Sequence, residues 1–406
     1  MKKTRLLFFV RRVGPYHDAR FEAAGSGLDL VVVETRPGST EYPWTTAAGA
    51  SRYQLAAFRP ASIPEQGWRG AELESEVERM LQTHRPEVVA SAGWADPEYH
   101  VLLQRCHALG TPAIVMSDST FEDEPRRWWK EWIKASLVRS YAAAVVAGAR
   151  SRDYLVRLGF PAPAIFQPWD VVDNRHFADG ANRERERDRS PSADGATRPQ
   201  RFLCVARFIP KKNLEGLVRA YAAYVAEFGA EAWDLVLSGS GPLEAALRAQ
   251  VSAAGLASRV GFAGFRQYPD LPEAYAAASA LVLPSWSDQW GLVVNEAMAA
   301  GLPVVVSGRC GCVVDLVRDG VNGLVFDPSD PAALKSALVS MTRLEPAQRL
   351  EMGRRAREII AIYSPESFGA ALAEAASCAL RRRDRRTSQW SRAVVGLLAT
   401  RRGSVQ

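Results

Sequence analysis

Short, nearly continuous aliphatic runs alternate with longer amphipathic stretches along this chain, and that rhythm constrains its fold more than any other feature. LLFFV (6–10), LVVVE (30–34), EVVASA (87–92), AIVMSD (113–118) and AAAVVAG (142–148) are too short for helices and largely apolar on both faces. Such runs read as strands buried on both sides, and buried strands separated by helical segments make a parallel sheet with helices on both faces. The pattern stops after Phe177. Residues 178–200, ADGANRERERDRSPSADGATRPQ, are polar and charged and read as an exposed linker. The alternation then resumes with FLCVARF (202–208), LVLSGS (235–240), VGFAGF (260–265), LVLPS (281–285), PVVVS (303–307) and GLVF (323–326). The expected fold class is therefore α/β, with two doubly wound parallel-sheet lobes facing a cleft, an N-terminal one over 1–177 and a C-terminal one over 201–365. A length of 406 residues fits two cores of about 200 residues each.

Composition removes several function classes. With 47% hydrophobic and 24% charged residues the chain is not mostly disordered, and no apolar run approaches the roughly 20 residues of a membrane span. MKKTRLLFFVRR begins like a signal peptide, but its apolar run is short and ends in arginines, so a first strand is the better reading. The net charge of +6 is concentrated from Leu380 onward, where eight arginines and one aspartate give +7 and leave −1 for the rest. A nearly neutral body argues against a nucleic-acid surface. The basic segment 381–406, with RRRDRR, Trp390 and VVGLL, reads either as a solvated end or as a surface that rests on anionic lipid. The five cysteines are odd in number and lack metal-type spacing, which suits reduced thiols in a cytoplasmic protein and no metal site.

Open α/β sheets bind ligands outside the carboxyl ends of their strands. ARFIPKKN brings Arg207, Lys211 and Lys212 to one such end, SGSGPLE brings Gly239 and Gly241 to another, and SDQWG and GRCGC follow two more strands. The stretch DQWGLVVNEAMAAGLPVVVS (288–307) predicts a loop over Ser287 to Gly291, a helix over Val293 to Ala300 and a strand from Pro303. Asp288 and Glu296 then flank one helix start, where N–H groups attract phosphate oxygens and an acid accepts hydrogen bonds from sugar hydroxyls. The combination suits a sugar nucleotide. The plainer alternative is that these acids are ordinary dipole partners, worth about 0.3–1 kcal/mol each, and that the lysines form a solvated turn. LSGSGPLE fails the G-x-G-x-x-G dinucleotide fingerprint because Glu244 stands at its third position. Gly311, Cys312 and Val313 are expected to offer backbone N–H groups to a phosphate.

The segment from Asp288 to Glu296 resembles the acid-(seven residues)-Glu signature of the family-4, or group 1, glycosyltransferases, and RFIPKKN resembles their Arg-(four residues)-Lys motif. The resemblance covers about residues 12–380 apart from the linker. It implies a bacterial-type enzyme of GT-B fold, with two Rossmann-like lobes, that moves a sugar with retention from a nucleoside diphosphate to a hydroxyl. Under it Arg207 and Lys212 clamp the leaving diphosphate, Glu296 holds the donor ribose and Asp288 binds hydroxyls of the transferred sugar, although the family usually has Glu where Asp288 stands. SGSGP resembles the family's GxGP loop, so Gly239 and Gly241 are assigned to the nucleotide, with Phe265 and Arg266 flanking the base and Gly291 and Leu292 at the helix start. Phe265 reads equally well as a core aromatic. Cys310 stands where a second glycine is usual. In RVGPYHDARFEAA the resemblance gives Gly14 a backbone approach to the donor, while His17 and Arg20 face the acceptor or are merely structural. The histidine that many relatives keep after the fourth strand is missing, so Asp118 takes its role or nothing does. Trp128, Trp129 and Trp132 are expected to pack rather than to bind. A helix over 366–380 is expected to cross back toward the first lobe.

No Asp-x-Asp occurs, so metal-independent transfer is implied, with no cofactor beyond a UDP- or GDP-sugar donor. The expected partners are that donor, a glycan or lipid-linked acceptor such as polysaccharide biosynthesis uses, and an anionic membrane surface reached through the basic segment, with no nucleic acid. The expected location is cytoplasmic, or peripheral on the inner face of the membrane. Two other readings stand beside this one: a sugar-nucleotide epimerase of the same architecture, and a non-catalytic subunit that binds a sugar nucleotide or glycan.

Overall fold

The aliphatic runs become parallel strands. In the computed structural model, residues 2–36, 52–58, 70–188, 199–384 and 387–400 are described. They form two compact units, one of Met1–Val171 with Pro365–Gln406 and one of Val172–Ser364. The first unit runs β1 (Arg5–Val10), α1 (Pro15–Ala24), β2 (Asp29–Glu34), β3 (Gln54–Ala57), α2 (Gly70–His84), β4 (Val88–Ser91), α3 (Pro97–Leu109), β5 (Ala113–Ser117), α4 (Trp128–Val138), β6 (Ala143–Val146), α5 (Ala149–Arg157) and β7 (Ile165–Phe166). The second runs α6 (Asn174–Asp188), β8 (Arg201–Val205), α7 (Leu214–Phe228), β9 (Asp234–Ser238), α8 (Glu244–Ala253), β10 (Val260–Gly264), α9 (Leu271–Ala276), β11 (Ala280–Leu283), α10 (Leu292–Ala299), β12 (Val304–Ser307), α11 (Val313–Leu316), β13 (Gly323–Phe326), α12 (Pro331–Arg343) and α13 (Pro346–Ile360). The chain then returns to the first unit with α14 (Pro365–Arg381) and α15 (Gln389–Thr400).

The sheet orders are β3-β2-β1-β4-β5-β6-β7 and β10-β9-β8-β11-β12-β13. Each reverses direction once, beside β1 and beside β8, and ligands in such sheets gather outside the strand ends at that reversal. Buried runs explain the strands: β4, β5, β6, β11 and β12 have every residue buried. Phe202, Leu235 and Leu237 from the second sheet share a buried cluster with Leu217, Tyr221 and Tyr224 of α7.

Three expectations change. The linker over 178–200 begins as helix, because Phe177 and Ala181 are buried and Asp173 caps the start by accepting from the amides of Arg175 (3.0 Å) and His176 (3.1 Å). His176 stacks on Tyr268 at 4.2 Å, so the boundary between the units falls near Val171 rather than at 177; residues 189–198 lie outside those described. The described part of the basic segment is neither a loose end nor wholly free for lipid, residues 385–386 and 401–406 lying outside those described. Val394, Val395 and Leu398 of α15 are buried, and α15 packs on α3 and α4, as an amphipathic stripe in VVGLL allows. The Trp128 side of α4 is not packed away: Trp128 is 84% exposed, and Trp132 meets Trp390 of α15 at 5.3 Å. The stretch 366–380 lies within α14, which packs on α1 in the first unit.

α13 reaches the second core only because one of its residues lacks a side chain. A Cβ on Gly353 would stand 2.0 Å from the carbonyl oxygen of Gly301, at the end of the segment that follows α10. Replacing Gly353 with Ala is expected to lower stability by about 1–3 kcal/mol, read as a lower urea midpoint, whereas the exposed Gly255→Asn should shift it far less.

Candidate functional site

The loops after β8, β9, β11 and β12 are tied to one another by backbone. The amides of Ala206 and Phe208 donate to Ser238 O (3.0 Å) and Ser240 O (2.8 Å), and Leu243 N returns a bond to Phe208 O (3.0 Å). Gly239 and Gly241 adopt φ of +141° and +155°, and a Cβ on them would lie 1.9 Å from Ala206 O and 2.6 Å from Phe208 O. Both glycines are therefore needed so that the loops following β8 and β9 can touch. Gly239 N also donates to Gly264 O (2.8 Å) at the end of β10, just before Phe265, which is 38% exposed. Arg266 does not point freely at a ligand; its guanidinium pairs with Glu273 at 3.1 Å.

Across the reversal of the sheet, Trp286 N donates to Lys211 O (2.9 Å), and Asn213 reaches over to Pro284 O (3.1 Å) with its side-chain amide. Asn213 sits at φ +51°, closing the turn Pro210–Lys212 and opening α7. These bonds bring the Lys212 ammonium onto the Asp288 carboxylate, the same Oδ2 that Ser285 approaches at 3.4 Å. Both side chains are largely buried, at 16% and 14% exposure. Burial pushes the neighbouring Cys204 thiol up to about 12, with the charge of Lys212 opposing. Arg207 lies in the loop that leads from β8 into this turn and is exposed. The sequence assigns Lys212 and Asp288 to different parts of a ligand; the structure joins them to each other.

The second acid is placed differently from the expectation. α10 starts at Leu292, after Gly291 turns the chain at φ +104°, so Glu296 lies in the second turn of the helix and not at its start. It is 1% exposed, and the phenol of Tyr275 on α9 donates to its Oε2 at 2.6 Å. The amides of Gly311, Cys312 and Val313 also depart from the expectation of a phosphate cradle, since they donate to Asp288 O (2.8 Å), Trp290 O (3.1 Å) and Cys310 O (3.2 Å). A Cβ on Gly311 would lie 1.8 Å from Gln289 O, which explains the glycine by loop contact. Burial, then the nearby Cys310 and Asp288, hold the Cys312 thiol well above its ordinary range.

In the first unit, Gly14 precedes α1 and its amide donates to His17 Nδ1 at 3.4 Å. Burial, then the charge of Arg20, holds the His17 imidazole down at about 3, and the ring lies beside Phe21 and Trp169 at 6.0 Å each. Arg20 is 2% exposed, donates to Val171 O (3.0 Å) and pairs with Asp170 (3.3 Å), which removes it from any acceptor-facing role. Asp118 follows β5, receives a hydrogen bond from Ser151 on its carbonyl (3.0 Å) and adds its charge to the field that favours the Arg20 cation. Sequence reasoning passes over Tyr275, Asn213 and Asp170. Tyr275 reads as a core aromatic in its helix, and only the contact with Glu296 gives it a polar task.

Residues 184–359 match the profile of Glycosyl transferases group 1. That stretch is similar to the group 1 glycosyltransferase domain. An uncharacterized glycosyltransferase of Methanocaldococcus jannaschii is 34% identical over 33% of this chain and 33% of its own. A D-inositol 3-phosphate glycosyltransferase of Acidothermus cellulolyticus is 37% identical over 38% of this chain and 35% of its own, and the alpha-D-kanosaminyltransferase of Streptomyces kanamyceticus is 28% identical over 68% and 72%. The chain thus spans about a third of the first two relatives. Among solved structures, Anabaena HepE in complex with UDP superposes with a TM-score of 0.69 at 18% identity, over 92% of this chain and 100% of that one. The sucrose-phosphate synthase of Thermosynechococcus elongatus gives 0.68 at 19%, over 91% and 98%. These superpositions show the GT-B fold.

Outside the domain the His17 environment has a measurable consequence. An imidazole neutral in the folded chain but titrating near 6.5 when unfolded binds protons only in the unfolded state between pH 6.5 and about 3, so its contribution to stability is full above that window and falls as pH drops through it. His17→Asn, which keeps an acceptor for Gly14, is expected to flatten the decline of melting temperature between pH 6.5 and 4.

Proposed function

We propose that this protein transfers a sugar, with retention and without a metal, from a UDP- or GDP-sugar to a hydroxyl of a glycan or lipid-linked acceptor. The observation that carries the reading is the Lys212–Asp288 pair at the sheet reversal, beside Arg207 and the glycine loop. A nucleoside diphosphate gains negative charge as its bond to the sugar breaks, and fixed cations shielded from water stabilise that charge more than they stabilise the intact donor. Lys212 is held ready by Asp288. When a diphosphate arrives, the ammonium exchanges one anion for another at little desolvation cost, and the released carboxylate accepts hydrogen bonds from the sugar. The positive end of α10, at Gly291 and Leu292, adds to the field on the phosphates. Tyr275 orients Glu296 toward the donor ribose.

The retention and the metal independence rest on the resemblance, which assigns Arg207 and Lys212 to the diphosphate. The UDP, UDP with glucose, and UDP-glucose complexes of HepE support a sugar-nucleotide donor. In the first unit, Gly14 and Asp118 stand at the strand ends that the resemblance gives to donor and transferred sugar. The exposed indoles of Trp128 and Trp390 support an acceptor at a membrane surface.

A thermal-shift panel of UDP, GDP and their sugars identifies the donor, since a ligand of the folded state raises the melting temperature by mass action. With that donor, Lys212→Ala is expected to lower kcat roughly a hundredfold, the usual loss when one transition-state donor is removed. Tyr275→Phe should raise the donor KM with a smaller effect on kcat. Transfer by folded Lys212→Ala and Glu296→Gln variants at the wild-type rate would overturn the assignment, and a stereoisomeric donor formed without acceptor would point to epimerisation instead.

A further inference from the structure

We propose that a cavity in the first unit, where α14 and α15 meet the ends of α3 and α4, binds a phosphate group, carried by a free phosphate or by a lipid headgroup. The cavity holds about 80 Å³ and is lined by His107, Arg139, Arg382, Arg383, Thr387 and Arg392, among others. A water needs about 10–15 Å³ on the same measure, so there is room for a larger occupant. Among the described residues, no carboxylate lines it.

Helix ends explain part of this charge, because carbonyls at a helix C-terminus attract cations. Arg139 Nε donates to Ala135 O (2.8 Å) near the end of α4, and Arg383 Nε donates to Gly110 O (3.0 Å) just past α3. Each bond uses one nitrogen of a guanidinium that carries five N–H donors. Capping leaves the other two arginines unexplained. Arg382 buries its Nε without any hydrogen-bond partner, and an orphaned charged donor costs stability unless a ligand completes it. Arg392 lines the cavity from an exposed position, and its charge adds to burial in depressing the His107 imidazole, against the pull of Ser140 O. Arg139, Arg382, Arg383 and Arg392 all line the one cavity, and guanidinium groups match a tetrahedral oxyanion, whose oxygens accept paired N–H bonds.

The site belongs to the first unit, whereas Lys212, Asp288 and Glu296 belong to the second, so its occupation does not depend on the proposed transfer reaction. Its neighbours suit a headgroup. Trp390 and Leu397 of α15 are each 59% exposed, and Trp390 lies against Trp132, so indoles that favour a membrane interface flank arginines that favour anionic lipid.

The test uses the full chain and needs no sugar donor. Phosphorus-31 line broadening of inorganic phosphate by the wild-type protein, at fixed ionic strength, reads the pocket without any variant. The double variant Arg382→Gln with Arg392→Gln should weaken that binding roughly tenfold or more, the effect of losing about one charged hydrogen bond, while Arg382→Lys with Arg392→Lys should recover part of it. Flotation with phosphatidylcholine vesicles, with and without phosphatidic acid, separates the sources. Binding only to the acidic vesicles, lost in the glutamine variant, assigns the headgroup; phosphate binding without flotation assigns a free phosphate. Neither binding, or equal binding by wild type and the folded glutamine variant, would overturn the proposal.

Discussion

Where the strand order of the second sheet reverses, a lysine from one half and an aspartate from the other neutralise each other. Lys212 and Asp288 are both largely withdrawn from water, so each makes the presence of the other tolerable. Removing one would strand a charge in a poorly solvated place. A cation kept in this state is a suitable receptor for phosphate, because its solvation has already been given up during folding and the ligand need only displace a carboxylate. The proposed chemistry and the local stability of the loops therefore draw on the same pair.

The pair is only as well placed as the backbone beneath it. Ala206 and Phe208 on one side, and Ser238, Ser240 and Leu243 on the other, are laced by amide bonds that no side chain mediates. Gly239, Gly241 and Gly311 are spots where two backbones come too close for a Cβ. The loops thus form a rigid collar around the strand ends, and side chains such as Arg207 stand on a frame that resists displacement.

Much of this was legible in the sequence, for physical reasons that differ from element to element. Strands buried on both faces leave a continuous aliphatic signature, so their existence and their grouping into two sheets could be read directly. The basic turn and the glycine loop were legible as well, since each needs residue types that packing alone does not select. What escaped was partnership. That Lys212 would meet Asp288, or that Tyr275 would hold Glu296, depends on strand order, which a one-dimensional pattern does not carry. The same loss hid the acceptors of the Gly311 and Cys312 amides, Asp288 O and Trp290 O, which lie in the loop that follows another strand, while Val313 N turns back onto Cys310 O in its own loop. α6 was misread for the opposite reason: in a string of arginines and glutamates, two buried positions and one capping aspartate suffice to fix a helix that composition describes as linker.

The first unit is closed by α14 and α15, which come after the whole of the second unit in the chain. α14 covers α1 and shares the unit with a sheet whose strands were all complete by Phe166, well before α14 begins at Pro365. During synthesis the second unit therefore has all of its strands and helices before the first has its last walls, and the order in which the two become stable is the reverse of the order in which they begin. Until those closing helices emerge, Phe21 and its neighbours have no lid, and the nascent first unit is the part of the molecule that most needs protection from self-association.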